Sequence, residues 1–285
     1  MSEPIRTLLT GATGTLGREL CPRLLDSGNE VRATSRTPPA ATDDALEWVE
    51  LDLRDGTGLE TALADVDVVV HAASAPRGDS EAVDVRGTER LLEAAADAGV
   101  SNVCYVSIVG VGEIPLSYYE HKRAAERAVE TSPVPSTIVR MTQFHSFVGG
   151  LLESISRLPV WPLSTDLRVQ PIDAGDAADA LVEHATPDPA GRVPPVGGPD
   201  VQTVGDLARS YRDANGLTRP IVRLPLPGAV AAGFRAGEAT RPDRTVGTIT
   251  WEEWLHCRGA ERSSSESTMN STTTARERPS RDGDP

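Results

Sequence analysis

Residues 5–17 read Ile5-Arg6-Thr7-Leu8-Leu9-Thr10-Gly11-Ala12-Thr13-Gly14-Thr15-Leu16-Gly17. A β-rich run breaks into three glycines spaced three apart and then into a segment carrying Leu16, Leu20 and Leu24 at helical spacing. Strand, glycine loop and helix in that order open a parallel βαβ unit. Gly11 permits the tight turn off the strand, Gly14 lets backbone approach a ligand with no side chain in the way, and Gly17 allows the helix to pack closely. The N–H groups of Thr13, Thr15 and Leu16 at the helix start then face an anion such as a pyrophosphate. The other reading is a glycine-rich turn that merely joins strand to helix.

The pattern repeats downstream. Strands are expected at Glu30–Ser35, Trp48–Leu51, Val66–His71, Val103–Ser107 and Ser136–Arg140, with Thr37–Asp44 a loop. Helices are expected at Thr15–Ser27, Gly58–Leu63, Ser80–Ala98 and Ser117–Glu130. Six βα units in series predict a doubly wound parallel-sheet Rossmann fold of the α/β class over residues 1–140. From 141 to 260 the chain is dense in Pro and Gly around two expected helices, Asp173–His184 and Thr203–Asn215, and reads as a small substrate-binding portion. Residues 261–285, rich in Ser, Thr, Arg and acids with almost nothing apolar, read as a disordered tail.

The end of the second strand bears on which dinucleotide fits. A carboxylate there would hold the adenosine ribose diol and repel a 2′-phosphate, whereas this chain offers Ser35 and Arg36. That chemistry prefers NADP(H) and leaves NAD(H) open; Arg36 is equally readable as a solvated loop charge. Asp52, followed by Leu53, either bonds the adenine amino group or caps its strand end. Ala72, Ala73 and Ser74 follow the fourth strand, where small residues let a nucleotide lie over the sheet edge.

These motifs, with Tyr105-Val106-Ser107, Tyr118-x-x-x-Lys122 and the segment Gln170-Pro171-Ile172-Asp173 to Asp176-Ala177, resemble the atypical or extended short-chain dehydrogenases/reductases, including NmrA-like and epimerase/dehydratase-related proteins. The resemblance covers roughly residues 5–258. It implies that Tyr118 is a general acid/base, that Lys122 holds the nicotinamide ribose and lowers the tyrosine pKa, and that Ser107 polarises a carbonyl or hydroxyl. Residues four apart share a helix face, so Tyr118 and Lys122 can meet. Tyr119 competes with Tyr118 for the role. Thr142 and Gln143, after the sixth strand, would face the nicotinamide, and His145 reads as structural. Phe144, Phe147, Leu151, Trp161 and Leu163 line an apolar pocket or fill core, and Leu224–Phe234 is a lip for a greasy substrate or a packed helix. The expected activity is hydride transfer between NADP(H) and a carbonyl, quinone or alcohol. The alternatives are a non-catalytic dinucleotide sensor or accessory subunit and a nucleotide-sugar epimerase or dehydratase. A homodimer through the helices Ser80–Ala98 and Ser117–Glu130 is expected from the same resemblance.

Composition narrows the partners. The 285 residues carry 42 Asp and Glu against 28 Lys and Arg, a formal charge of −14, which argues against wrapping nucleic acid or lying on anionic lipid. No apolar run approaches a membrane span and the start lacks the layout of a secretion signal, so a cytoplasmic protein is expected. Cys21, Cys104 and Cys257 fit no metal or disulfide spacing and read as small buried thiols, and no metal site is expected. Of the 28 basic residues 27 are Arg, and the single lysine is Lys122. Where arginine serves everywhere else, a retained lysine suggests a place for a compact ammonium rather than a planar fork. An acidic, lysine-poor surface also suits a halophile, though a high-GC genome explains the arginine bias equally well. If the halophilic reading holds, the denaturation midpoint rises with KCl as like charges are screened; full stability in low salt excludes it.

Overall fold

A computed structural model describes residues 4–40 and 46–260; the tail expected at 261–285 lies outside the described residues. Six parallel strands form where the β-rich runs predict them: β1 (Arg6–Thr10), β2 (Glu30–Ser35), β3 (Leu46–Glu50), β4 (Val68–His71), β5 (Asn102–Ile108) and β6 (Ser136–Met141). Between them run α1 (Thr15–Asp26), α2 (Leu59–Leu63), a π-helical turn (Glu81–Arg86) continuing into α3 (Gly87–Asp97), and α4 (Ser117–Thr131). With the two-residue β9 (Gly191–Arg192), the strand order is β3-β2-β1-β4-β5-β6-β9, all parallel, so the winding reverses between β1 and β4. This is the doubly wound Rossmann-like arrangement.

Strand alternation splits the core into two layers. Leu9, Val70, Cys104 and Val139 face α1, where they meet Leu20 and Leu24. Their predecessors Leu8, Val69, Val103 and Ile138 face α3 and α4, packing with Leu91, Leu92, Ala125 and Val129.

Past residue 140 the chain serves two places. α5 (His145–Ile155), β7 (Trp161–Leu163), β8 (Arg168–Val169), β10 (Gln202–Thr203), α7 (Val204–Ala214), β11 (Ile221–Arg223), α8 (Ala229–Ala236) and a last helix over residues 251–260 surround a core that includes Trp161, Tyr211 and Trp251. In contrast, α6 (Ala174–Val182) packs its Ala177, Ala178 and Leu181 on α1, and β9 completes the sheet. The Gln170–Asp176 segment joins the two. Fully buried Gln170 donates to the Gly198 carbonyl at 2.7 Å and accepts from the Arg241 amide. Asp173 caps α6, and Asp176 accepts the Thr248 and Ile249 amides. Leu224–Phe234 is helical only from Ala229, because Pro225 and Pro227 interrupt the backbone ladder before it; Leu224 and Leu226 are exposed. Cys21 and Cys104 are buried thiols, whereas Cys257 is exposed, contrary to expectation. Among the described residues no helix is long and apolar enough to cross a membrane.

One buried ion cluster ties β6 and β9 to α4. Glu126, 2% exposed, accepts Arg140 through two bonds of 2.8 and 2.7 Å and Arg192 at 3.0 Å. Burial raises its pKa, but Arg140, with Ser107 and Arg192, outweighs burial and holds the carboxyl below its ordinary range. Removing it takes the carboxylate from half-buried Arg140, while exposed Arg192 keeps Glu130, so the loss is below that of a fully buried pair and costs about 1–3 kcal/mol. Glu126→Ala is therefore expected to lower unfolding free energy by about that amount in urea titrations, while a change under about 1 kcal/mol assigns the cluster no structural weight.

Candidate active site

The glycine loop forms a backbone cradle at the switch point. Gly11 has φ +71°, and a Cβ there would stand 2.8 Å from the Ala73 backbone. A Cβ on Gly17 would meet the Gly11 carbonyl at 2.2 Å. Gly14 is the N-cap of α1 and no side chain caps that helix, so the first N–H groups, including those of Thr15 and Leu16, are left for an anion. Thr13, Gly14 and Thr15 are exposed, while the Leu16 side chain is buried and only its backbone can serve a ligand. Ala72 and Ala73 form the opposite wall. At the edge, the Ser35 hydroxyl donates to the Thr37 carbonyl and accepts the Thr37 amide, closing a turn that presents Arg36. Arg36 is exposed and makes no ion pair among the described residues. Asp52 is held in a fork by Arg54, which with nearby Arg36 draws its pKa down to about 2. These surfaces fit the pyrophosphate and adenosine end of a dinucleotide.

Above the carboxyl ends of β4 and β5 lies a chain of polar contacts. The Tyr118 hydroxyl is 2.6 Å from Ser74 Oγ, and Ser74 Oγ donates to Asp84 Oδ1 at 2.6 Å. Asp84 Oδ2 accepts the Ala75 amide at 3.0 Å. Lys122 Nζ donates to the Val106 carbonyl at 2.7 Å, lies 3.7 Å from Asp84 Oδ1, and sits 4.3 Å from the centre of the Tyr105 ring. Burial lowers the Lys122 pKa, opposed by Asp84 and Glu126; burial raises that of Tyr118, with Asp84 adding, and the Ser74 contact opposes that rise only where the serine hydrogen turns to the phenol oxygen. Tyr119 is buried, its hydroxyl 3.3 Å from Gln143 Nε2, whereas Tyr118 is half-buried and reachable. Gln143 Oε1 is buried without a partner, an acceptor free for a ligand amide.

A family described as NAD(P)H-binding matches residues 11–183, more than half of the chain. The chain belongs to the NAD(P)H-binding family. Its neighbours in sequence and structure lie among the NAD(P)-dependent epimerases and reductases, the atypical short-chain dehydrogenases/reductases. It is similar to a (4-alkanoyl-5-oxo-2,5-dihydrofuran-3-yl)methyl phosphate reductase of Streptomyces griseus, 34% identical over 202 residues that cover 69% of each chain. An uncharacterized protein of Mycobacterium tuberculosis is 29% identical over 224 residues, 78% of this chain but 24% of that one, so the chain spans about a quarter of that relative. In three dimensions it resembles an NADPH-dependent quinone oxidoreductase of Escherichia coli solved with NADPH, with TM-score 0.74, 20% identity, and 88% and 98% of the two chains covered.

Within this NAD(P)H-binding chain the remaining expected residues divide. Ser107 makes no hydrogen bond to Tyr118 among the described residues: its buried hydroxyl is unpartnered and lies on the Glu126 side of β5, while its neighbour Ile108 packs in the cluster containing Tyr118. The hydroxyl on Tyr118 is that of Ser74. The Thr142 hydroxyl accepts the Gly198 amide, and the Leu53 side chain lies in the core beneath Gly87. His145 donates from Nε2 to the Ile249 carbonyl between Trp251 and Trp254, a structural place. Asp84 and Arg54 were not singled out by sequence reasoning. Arg54 carries a local signal, two residues from Asp52; Asp84 carries none, because its place is set by the π-helical turn.

His71 completes the support. Thr88 Oγ1 gives its hydrogen to the Asp84 carbonyl at 2.7 Å, so it accepts from His71 Nε2, and Thr10 Oγ1 donates to Nδ1. Burial, with Lys122 adding, drives the His71 pKa from 6.5 down to about 3. A depressed native pKa stabilises the fold above about pH 6.5, and that contribution is lost as pH falls toward 3. Urea midpoints measured from about pH 7 to about pH 4 should fall for the wild type and fall less steeply for His71→Gln; parallel slopes contradict the assignment.

Proposed function

We propose that this protein is an NADP(H)-dependent reductase acting on a carbonyl or quinone, with Tyr118 as proton donor. The observation that carries the reading is the 2.6 Å contact between Tyr118 and Ser74, beside buried Lys122 and at the open end of the glycine cradle. A bound nicotinamide would supply the hydride. The chain's part is to deliver a proton from the Tyr118 hydroxyl to the substrate oxygen, with Ser74 as its hydrogen-bonding neighbour. Gln143 Oε1 is placed to orient an amide, and Arg36 to pair with a 2′-phosphate. Exposed Phe147 and Leu151, on one face of α5, offer an apolar wall for the substrate body.

The second reading is a dinucleotide sensor. It is favoured by Lys122 being tied to Val106 and Asp84, and by Ser107 being turned away. We also propose a homodimer through α3 and α4, which flank a surface groove of about 770 Å³ whose lining mixes Leu92, Ala96 and Ala128 with the charged Glu93, Asp97 and Arg127.

Fluorescence titration should show NADPH binding more tightly than NADH, with Arg36→Ala costing about 10–100-fold for NADPH alone; equal loss for both removes the 2′-phosphate role. NADPH consumption with quinones and aldehydes should fall about 10²–10⁴-fold in Tyr118→Phe with binding retained. Tight NADPH binding with no turnover in the parent protein favours the sensor.

A further inference from the structure

We infer that Asp84 is a positioning residue which, through Ser74, holds Tyr118 in the orientation of a proton donor and reserves the charge of Lys122 for itself. The inference rests on the reductase reading of the same site and adds a residue to it: Asp84, through Ser74, holds the resting site in the phenol form that can protonate a substrate oxygen.

The argument begins with the count of hydrogens. Asp84 is 1% exposed and its two oxygens face three donors: the Ser74 hydroxyl, the Ala75 amide and the Lys122 ammonium. Both carboxyl oxygens therefore act as acceptors, Oδ1 toward Ser74 and Oδ2 toward the Ala75 amide, with the ammonium 3.7 Å from Oδ1. Ser74 owns one hydroxyl hydrogen, and that hydrogen is committed to Asp84. The Ser74 oxygen therefore turns lone pairs toward Tyr118, and a 2.6 Å contact between two oxygens requires the hydrogen to come from Tyr118. A phenolate in this position would set two acceptors face to face and bring a second anion toward Asp84.

Charge points the same way. The expectation that Lys122 lowers the tyrosine pKa needs an uncommitted ammonium. Here its nearest acceptors are the Val106 carbonyl, at 2.7 Å, and Asp84. The titratable groups facing Tyr118 are Asp84 from the π-helical turn, Tyr105 from β5 and Tyr119 from its own helix; Lys122, one turn on, is directed to Val106 and Asp84, and on the α8 side the neighbours are Val230 and Phe234. Of these Asp84 is the one anion, and its effect on Tyr118 is to favour the neutral phenol. When the phenol hydrogen passes to a substrate oxygen, the O–H bond of Tyr118 breaks as that of the product forms. The tyrosinate left behind faces Ser74, an exposed residue, by way of which a solvent proton can return.

The test needs no turnover, so it fails or succeeds independently of the reductase reading. Tyrosinate ultraviolet difference absorbance is titrated in the wild type, Asp84→Asn, Ser74→Ala and Tyr118→Phe, the last identifying the Tyr118 step among the four tyrosines. Asp84→Asn removes the anion and frees Lys122, and should bring the Tyr118 step down by about one to three pH units. Ser74→Ala, at an exposed position that folding tolerates, removes the acceptor of the phenol hydrogen and should move the step down by a smaller amount. If Asp84→Asn does not fold, Ser74→Ala alone decides. A Tyr118 step that stays at the wild-type position or rises in the folded variants overturns the inference, since Ser74 would then be donating to the phenolate.

Discussion

The close approach of two backbones, Gly11 against Ala73 at the ends of β1 and β4, is the constraint on which the rest of the molecule depends. With 2.8 Å between an imagined Cβ and the facing main chain, any side chain at residue 11 would wedge the strand ends apart. Because the sheet reverses its winding between these two strands, this is where a crevice opens, and α1 can begin there only if Gly17 lets it sit on the Gly11 carbonyl. The same contact fixes where β4 leaves the sheet. Ser74 is the next residue out, which is why a hydroxyl from the segment after β4 reaches Tyr118.

The Rossmann half was legible because its signals are local and repeat. The glycine spacing, the helical leucines and the apolar runs each specify one element, and the short connections leave little freedom in assembling them. The strand β9 escaped notice since Gly191-Arg192 is too short to carry a period, and it exists through Arg192 reaching Glu126 on α4. The candidate site was legible in part for a related reason. Tyr118 and Lys122 are four apart on one helix, so their neighbourhood follows from sequence spacing. Strand alternation puts Ser107 on the Glu126 side and Ile108 on the side of the tyrosines, and spacing along one strand does not relate either residue to a helix elsewhere. Asp84 and Ser74, ten positions apart across a loop and a π-helical turn, meet only in three dimensions.

The portion over the sheet was the least readable, and its physics explains why. Its core gathers Trp161, Tyr211 and Trp251 from segments separated by tens of residues, and its anchors are single side chains, Gln170 and Asp176, bonded to backbone 70 or so residues on. Apolar residues there do two jobs with the same chemistry. Trp161 is fully buried and serves packing, whereas Phe147 and Leu151 remain exposed on the neighbouring helix. Sequence alone cannot divide a greasy wall from a core when both are written in Phe, Leu and Trp.

The single lysine shows how a composition bias becomes informative once burial is known. Arginine in this chain works where there is room for a fork, as Arg140 on Glu126 or Arg54 on Asp52. At residue 122 the cation is 3% exposed and must reach the Val106 carbonyl, Asp84 and the face of Tyr105 together. A compact ammonium with three rotatable donors can point at three partners in different directions, while a planar guanidinium would bring more atoms into a closed space. Even buried Arg32 spreads its fork over Glu47 and the Ala62 and Ala64 carbonyls, whereas the one lysine is a buried charge whose partner, Asp84, also governs the hydroxyl beside Tyr118. Removing the lysine charge would leave Asp84 as an uncompensated buried anion next to the tyrosine, so the two charges are kept together or lost together.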